Sequence, residues 1–248
     1  MASDWRKDLQ NLDRFPLIPC GAGAKGKAPI DPETGHHLRN WQNAAYTPEQ
    51  IIRMPAYVNC VGTRTGPNAG NLLIIDIDGK SALEYCMETG CHVEDSGWLI
   101  TRNTDVNRLK VAFQIKDKEL SKTLAGLGKL VLVTSDEPKE QLEVFYGSGQ
   151  CIVLGEHQES GGYYSWTGSP RNLTNLSSYW MALVQNFISN KLESFNFLSE
   201  TKFSRSAMMR RRGVQFEERQ CHGALLFVNT YFVKNRCDAA LSSPHRWV

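Results

Sequence analysis

The sequence predicts an α+β fold, a strand-rich body followed by a smaller helical part. Three observations carry this. Between residues 59 and 166 the apolar residues fall in a series of short strand-like runs. Beyond Pro170 they shift to helical spacing. The composition, 41% apolar and 22% charged over 248 residues, is that of a globular chain rather than a disordered or fibrous one. At roughly 150 residues per domain the length allows one large domain or two small ones. The change of pattern divides the chain into an expected body of residues 1–175 and a helical, basic extension of residues 176–248.

In chain order, residues 4–12 read as a short helix and residues 15–19 as the start of a strand. A loop rich in Gly, Pro and Lys follows, GAGAKGKAPIDPETG. Thr47-Pro48-Glu49-Gln50 is a helix start, with Thr as cap, Pro at the first helical position and Gln completing a capping box. Residues 59–63 form a strand. NLLIIDIDGK, residues 71–80, is the clearest strand, an apolar run ending in carboxylates. Residues 81–89 form a helix stopped by Gly90. Residues 98–101, 109–115, 141–146, 150–154 and 163–166 read as strands, with Gly147-Ser148-Gly149 as a hairpin turn. Trp180, Leu183, Val184, Phe187, Ile188 and Leu192 share one face of a helix over residues 178–198, and a second helix is expected over residues 216–234.

The net charge is only +2, which argues against a strongly basic nucleic-acid coat protein. That sum hides an asymmetry. Residues 200–248 hold nine Lys/Arg against four Asp/Glu, a net of +5, which leaves −3 on the first 199. The opening MASDWRKDLQNLDRF lacks the apolar run of a secretory signal, and no stretch approaches the ~18 apolar residues of a membrane span. A cytoplasmic protein with no membrane partner is expected. The seven cysteines include no CxxC pair, so neither a disulfide framework nor a zinc ribbon is indicated. Cys86, Cys91 and His92 come nearest to a metal cluster, but they lack a matching second pair.

Asp76 and Asp78 lie at i, i+2 on the strongest strand. They therefore project from one face, with Cα atoms roughly 6.6 Å apart. Two carboxylates held that close repel unless a cation sits with them, and Mg²⁺ or Mn²⁺ accepts such hard oxygen ligands. The alternative is a strand running out into a polar turn at Gly79. Glu143 stands between Leu142 and Val144, so it faces away from both, either at an exposed edge or as a third ligand. An apolar strand followed by DxDG also suits a metal-dependent phosphohydrolase. Such an enzyme needs a late acidic pair, whereas beyond Asp105 the chain has only the scattered Asp117, Asp136 and Asp238.

Taken in order, three segments resemble the bifunctional primase–polymerase domain of the archaeo-eukaryotic primase superfamily, the type found in plasmids, phages and cyanobacterial mobile elements. FPLIPCGAGAKGKAPIDPETGHHLRNWQ is similar to the family's opening segment. CVGTRTGPNAGNLLIIDIDG is similar to its strand ending in DxD. QLEVFYGSGQCIVLGEHQESGGYYSWTGSP is similar to its third motif followed by H-x-x-x-G-x-x-Y-x-W. The resemblance spans residues 15–180. It implies a primase core, an RRM-like sheet with an accessory α/β layer, followed by the small helical part. It implies DNA primase and polymerase activity, two-metal nucleotidyl transfer of dNTPs or NTPs onto a primer or initiating nucleotide. Two Mg²⁺ or Mn²⁺ ions would be held by Asp76, Asp78 and Glu143. The partners implied are a single-stranded DNA template or primer-template, with room for a separate helicase.

The chain departs from the family at two places. Lys110, three positions before Phe113, stands where the family has a histidine that touches the triphosphate. Leu154-Gly155-Glu156 replaces the usual Pro-Pro-Ser, although His157 remains. Lys110 and Arg108 share one strand face and can serve a phosphate as cations, and His157 and Arg64 complete the expected nucleotide contacts. Lys25 and Lys27 are either solvated loop residues or further phosphate contacts. Tyr163, Tyr164, Trp166 and Trp180 are either base-stacking platforms or core. Arg210, Arg211 and Arg212 form a basic run that is either a solvated face or a grip on template phosphates. With these departures a second reading stands beside the enzyme, a catalytically weakened replication-initiation or single-strand-binding module on the same fold.

Overall fold

The computed structural model of the chain describes residues 5–23, 26–147 and 149–210, the side chains of 22 and 195–210 excepted. Met1–Glu193 form one compact unit, and everything said of the site below lies within it. Ten strands are described: β1 (Leu17–Ala22), β2 (Ala28–Pro29), β3 (Cys60–Arg64), β4 (Leu72–Asp78), β5 (Trp98–Arg102), β6 (Asp105–Gln114), β7 (Leu130–Val133), β8 (Gln141–Phe145), β9 (Gln150–His157) and β10 (Gly162–Gly168). With them come four α-helices: α1 (Pro48–Ile52), α2 (Lys80–Glu88), α3 (Lys118–Leu127) and α4 (Ser178–Arg210). The strands form one sheet in the order β2-β1-β3-β9-β10-β5-β6-β4-β8-β7, and all their pairings are antiparallel. The chain is thus a mixed α/β protein with a large antiparallel sheet and few helices, compatible with a primase fold.

The position of β4 explains its unbroken apolar run. It has a strand on either side and a hydrophobic cluster on either face. Leu73, Ile75 and Ile77 enter one cluster with Leu109, Val111 and Phe113 of β6 and Leu142 and Val144 of β8. Helices seal that face: Ala82 and Cys86 from α2, Leu124 from α3, and Trp180, Leu183, Val184 and Phe187 from the first turns of α4. Leu72 and Ile74 point the other way, into a cluster with Trp98, Ile100 and Ala112 and with residues of β1, β3 and β9. The next two residues on that second face are Asp76 and Asp78.

Local signals were mostly obeyed. Thr47 caps α1 with both halves of the capping box formed, Gln50 N–H to Thr47 Oγ1 at 3.3 Å and Thr47 N–H to Gln50 Oε1 at 2.8 Å. The short helix expected at the start is a 3₁₀ helix, Trp5–Leu12. Two differences stand out. Gly147–Gly149 is no hairpin turn: β8 pairs with β4 and β7, β9 with β3 and β10, so the chain crosses the sheet there. Gly147 (φ +76°) and Gly149 (φ +74°) permit the change of direction. Finally, α3 and β7 had no counterpart in the sequence reading, although Asp117 caps α3 by accepting from the N–H groups of Glu119 (2.8 Å) and Leu120 (3.0 Å). The helix expected at 216–234 lies outside the described residues.

Among the described residues Cys20, Cys60, Cys86, Cys91 and Cys151 are free and buried. Among the described residues no helix is long and apolar enough to cross a membrane.

Candidate active site

Register brings the predicted carboxylates together. Asp76 lies directly opposite Glu143 of β8 on one side and Lys110 of β6 on the other. One step along, Asp78 lies opposite Gln141 and Arg108. Directly opposed antiparallel residues share a face, so Asp76, Asp78, Glu143, Lys110 and Arg108 form one charged block where the apolar second face ends. Gly79, at φ +105°, turns the chain straight from this block into α2. A Cβ there would lie 2.7 Å from the Glu140 side chain, which accepts from the Lys80 (3.3 Å) and Ser81 (2.9 Å) backbone N–H groups. The strand therefore does end in a polar turn, and its carboxylates are nevertheless gathered with a third.

Each carboxylate holds a cation. Lys110 Nζ pairs with Asp76 Oδ2. Arg108 Nη1 meets Asp78 Oδ1 at 2.6 Å, with Arg102 Nη2 at 3.7 Å from the same oxygen. Lys129 Nζ lies 2.7 Å from Glu143 Oε1, which also accepts from Gln141 Nε2 at 2.5 Å. Burial alone would push the Lys110 ammonium down, but the Asp76 carboxylate outweighs it and holds Lys110 above the ordinary lysine range.

β5, β9 and β10 form the other side of the site. Tyr164 lies opposite Arg102 across one pairing and Gly155 across the next. His157 ends β9 at 1% exposure. Its Nδ1 accepts from Ser160 N–H at 3.2 Å and lies 2.8 Å from Ser160 Oγ. A backbone N–H can only donate, so Nε2 carries the proton, and Nε2 has no hydrogen-bond partner among the described residues. Burial, and then the charges of Lys27 and Arg102, push His157 down to about 4, so it is neutral at pH 7. Burial, then Arg102 and Lys110, also lowers Lys27. Burial pushes the Tyr164 hydroxyl up to about 12 and raises the Cys151 thiol, two groups that feel both Lys110 and Asp76. Arg102 Nε is likewise buried without a partner among the described residues.

Not every expected residue joins this cluster. Arg64 Nη1 donates to the Gln42 carbonyl at 2.5 Å, at the end of β3, and none of the ion pairs above includes it. Lys25, Arg211 and Arg212 lie outside the described residues, as does the side chain of Arg210. Trp180 is core: fully buried, 5.5 Å from the Phe113 ring, its Nε1–H donating to the His92 carbonyl at 3.0 Å. Trp166 donates to the Val153 carbonyl at 2.6 Å and meets Trp98 edge-on at 5.5 Å. The sequence reading missed Arg102 and Lys129. Arg102 was findable, since it follows Trp98 and Ile100 at steps of two on one strand face. Lys129 was not, because its place depends on α3 and β7.

The donor set fits a divalent ion in its chemistry: three carboxylates on two adjacent strands and one face. It is not arranged to receive one as it stands, for among the described residues no three His, Cys, Asp or Glu groups are grouped as a ready metal site. For a metal to bind there, the cations on the carboxylates would have to give way.

A family model described as "Bifunctional DNA primase/polymerase, N-terminal" matches residues 9–179. No curated protein matches the chain.

Proposed function

Since the chain belongs to the bifunctional DNA primase/polymerase family, a family of primase/polymerase-type nucleotidyl transfer acting on DNA and nucleotides, we propose that it extends or starts a strand on single-stranded DNA through the block formed by Asp76, Asp78 and Glu143. The 3′-hydroxyl oxygen attacks the α-phosphorus of the incoming nucleotide. The new phosphodiester forms as the bond to pyrophosphate breaks, and the hydroxyl proton is released on the carboxylate side. Mg²⁺ or Mn²⁺ held by these three carboxylates would supply phosphate charge neutralisation and a more acidic hydroxyl.

The observation that carries this reading is the pairing of a carboxylate block with a cationic side in which two buried donors, His157 Nε2 and Arg102 Nε, have no partner among the described residues. His157 Nε2–H, Arg102 and Lys27, the last at 4.0 Å from Glu159, offer a triphosphate one neutral donor and two charges. A neutral imidazole that donates from Nε2 does not depend on protonation near pH 7. Arg108 and Lys110, expected at the nucleotide, stand between the two sides as carboxylate partners. The basic segment from Lys202 to Arg212 would add sequence-independent attraction for template phosphates.

The test is primer extension on a primed single strand with dNTPs and Mg²⁺ or Mn²⁺. Asp76→Ala and Asp78→Ala are expected to lose activity by about 10²–10³-fold, the scale of removing a principal transition-state stabiliser. Extension by both variants at the wild-type rate would sink the proposal. One observation favours the second reading, a weakened DNA-binding module: every carboxylate already has a cation. Such a module would bind single-stranded DNA and show no metal-dependent dNTP affinity.

A further inference from the structure

We propose that Lys110 is a tethered counter-cation that competes with divalent metal for Asp76, and that the incoming nucleotide relieves the competition by taking over the Lys110 ammonium. The proposal rests on reading Asp76, Asp78 and Glu143 as metal ligands, and it adds an order of loading: nucleotide and metal enter together.

The first argument is register. Lys110 and Asp76 face each other directly across β4 and β6, which puts their Cβ atoms about 4.5–5.5 Å apart. The pairing continues on both sides, from Leu72 opposite Gln114 to Asp78 opposite Arg108. Backbone geometry therefore fixes Lys110 beside Asp76.

The second argument is burial. The Lys110 and Asp76 side chains are only 11% and 14% exposed. A charge removed from water is costly unless a partner holds it, and breaking such a pair by removing one member leaves the other uncompensated. The other groups acting on Lys110, Tyr164 and Cys151, supply no negative charge, because burial keeps the hydroxyl and the thiol protonated.

The third argument is contrast with the other two cations of the block. Lys129 is 41% exposed and can swing into water when Glu143 is taken. Arg108 has a second carboxylate, Asp105, at 3.1 Å, and keeps it when Asp78 is taken. Among the described residues Lys110 has neither outlet. It leaves Asp76 for another anion brought to the block, and a nucleotide triphosphate is that anion. By linkage, whatever the nucleotide contributes to metal affinity the metal returns to nucleotide affinity.

The experiment is Mn²⁺ binding to the full chain, followed by the electron paramagnetic resonance signal of free Mn²⁺, with and without a non-hydrolysable dNTP analogue. Two neutral variants are used: Lys110→Met, and Lys110→Gln, which keeps a donor toward Asp76 and so protects the fold. Without nucleotide, the variants that fold are expected to bind Mn²⁺ about tenfold or more tighter than wild type, a modest share of the attraction between unit charges in contact near a protein surface. Lys110→Arg, which keeps the charge, is expected to bind like wild type. Equal affinity in wild type and Lys110→Gln, with Asp76→Ala abolishing both, would overturn the competition while leaving the metal site standing. No Mn²⁺ binding by any protein, with or without the analogue, would overturn this proposal and the metal-ligand reading together.

Discussion

The two faces of β4 carry the same chain to opposite ends. On one face Leu73, Ile75 and Ile77 run the full strand into a cluster sealed by three helices, and the aromatic groups there are fully satisfied. On the other, Leu72 and Ile74 give way to Asp76 and Asp78, and the polar groups nearby divide into carboxylates that all have partners and donors, His157 Nε2 and Arg102 Nε, that do not. A sealed face stores stability, whereas an open one stores unmet hydrogen bonds. The two unmet groups beside the carboxylates, His157 Nε2 and Arg102 Nε, are donors, which is what a polyanionic ligand requires.

That division is open to attack from either side. The largest effect is expected on the sealed face. Trp180→Ala removes a fully buried ring and its hydrogen bond to His92, and should cost about 3–5 kcal/mol of unfolding free energy. Measured by urea denaturation, this is a large part of the ~5–15 kcal/mol of a typical domain. A loss below about 1 kcal/mol would mean that α4 does not seal the sheet. The next effect belongs to the open face. Arg102→Ala should raise the KM for dNTP by about 10–100-fold, the scale of one or two charged hydrogen bonds, and shift the urea midpoint little. A variant that unfolds easily but keeps the wild-type KM would move Arg102 from the binding group to the structural one.

The open face was legible in the sequence wherever one strand sufficed. Asp76 and Asp78 share a face because they are two apart, and Glu143 leaves the core because Leu142 and Val144 enter it. What was not legible was which strands are neighbours. Gly147 and Gly149 looked like a hairpin because the code for a tight turn is local, while the pairing of β8 with β4 and of β9 with β3 is decided by the whole sheet. The same limit hid the fate of Lys110. Its type and strand face were readable, but its position opposite Asp76 is a matter of register, and register turns a free phosphate cation into a carboxylate partner. Lys129 and α3 were missed for a related reason, since the short run of residues 118–127 carries few apolar positions and reveals itself by its Asp117 cap.

The smallest effect tests His157. It is buried and held neutral, down at about 4 against an ordinary 6.5. Its folded pKa is depressed, so between these two values the unfolded chain binds a proton that the folded chain refuses. The stabilisation from keeping it neutral is fully present above about pH 6.5, and it is lost as pH falls toward 4. His157→Gln has no such proton to refuse. The stability gap between wild type and His157→Gln should therefore narrow as pH drops from 6.5 to 4, read from urea midpoints at each pH. A gap that stays constant over that range would show that His157 titrates normally and is solvated. That would remove the orphaned Nε2 donor from the open face, leaving Arg102 and Lys27 to define its cationic side.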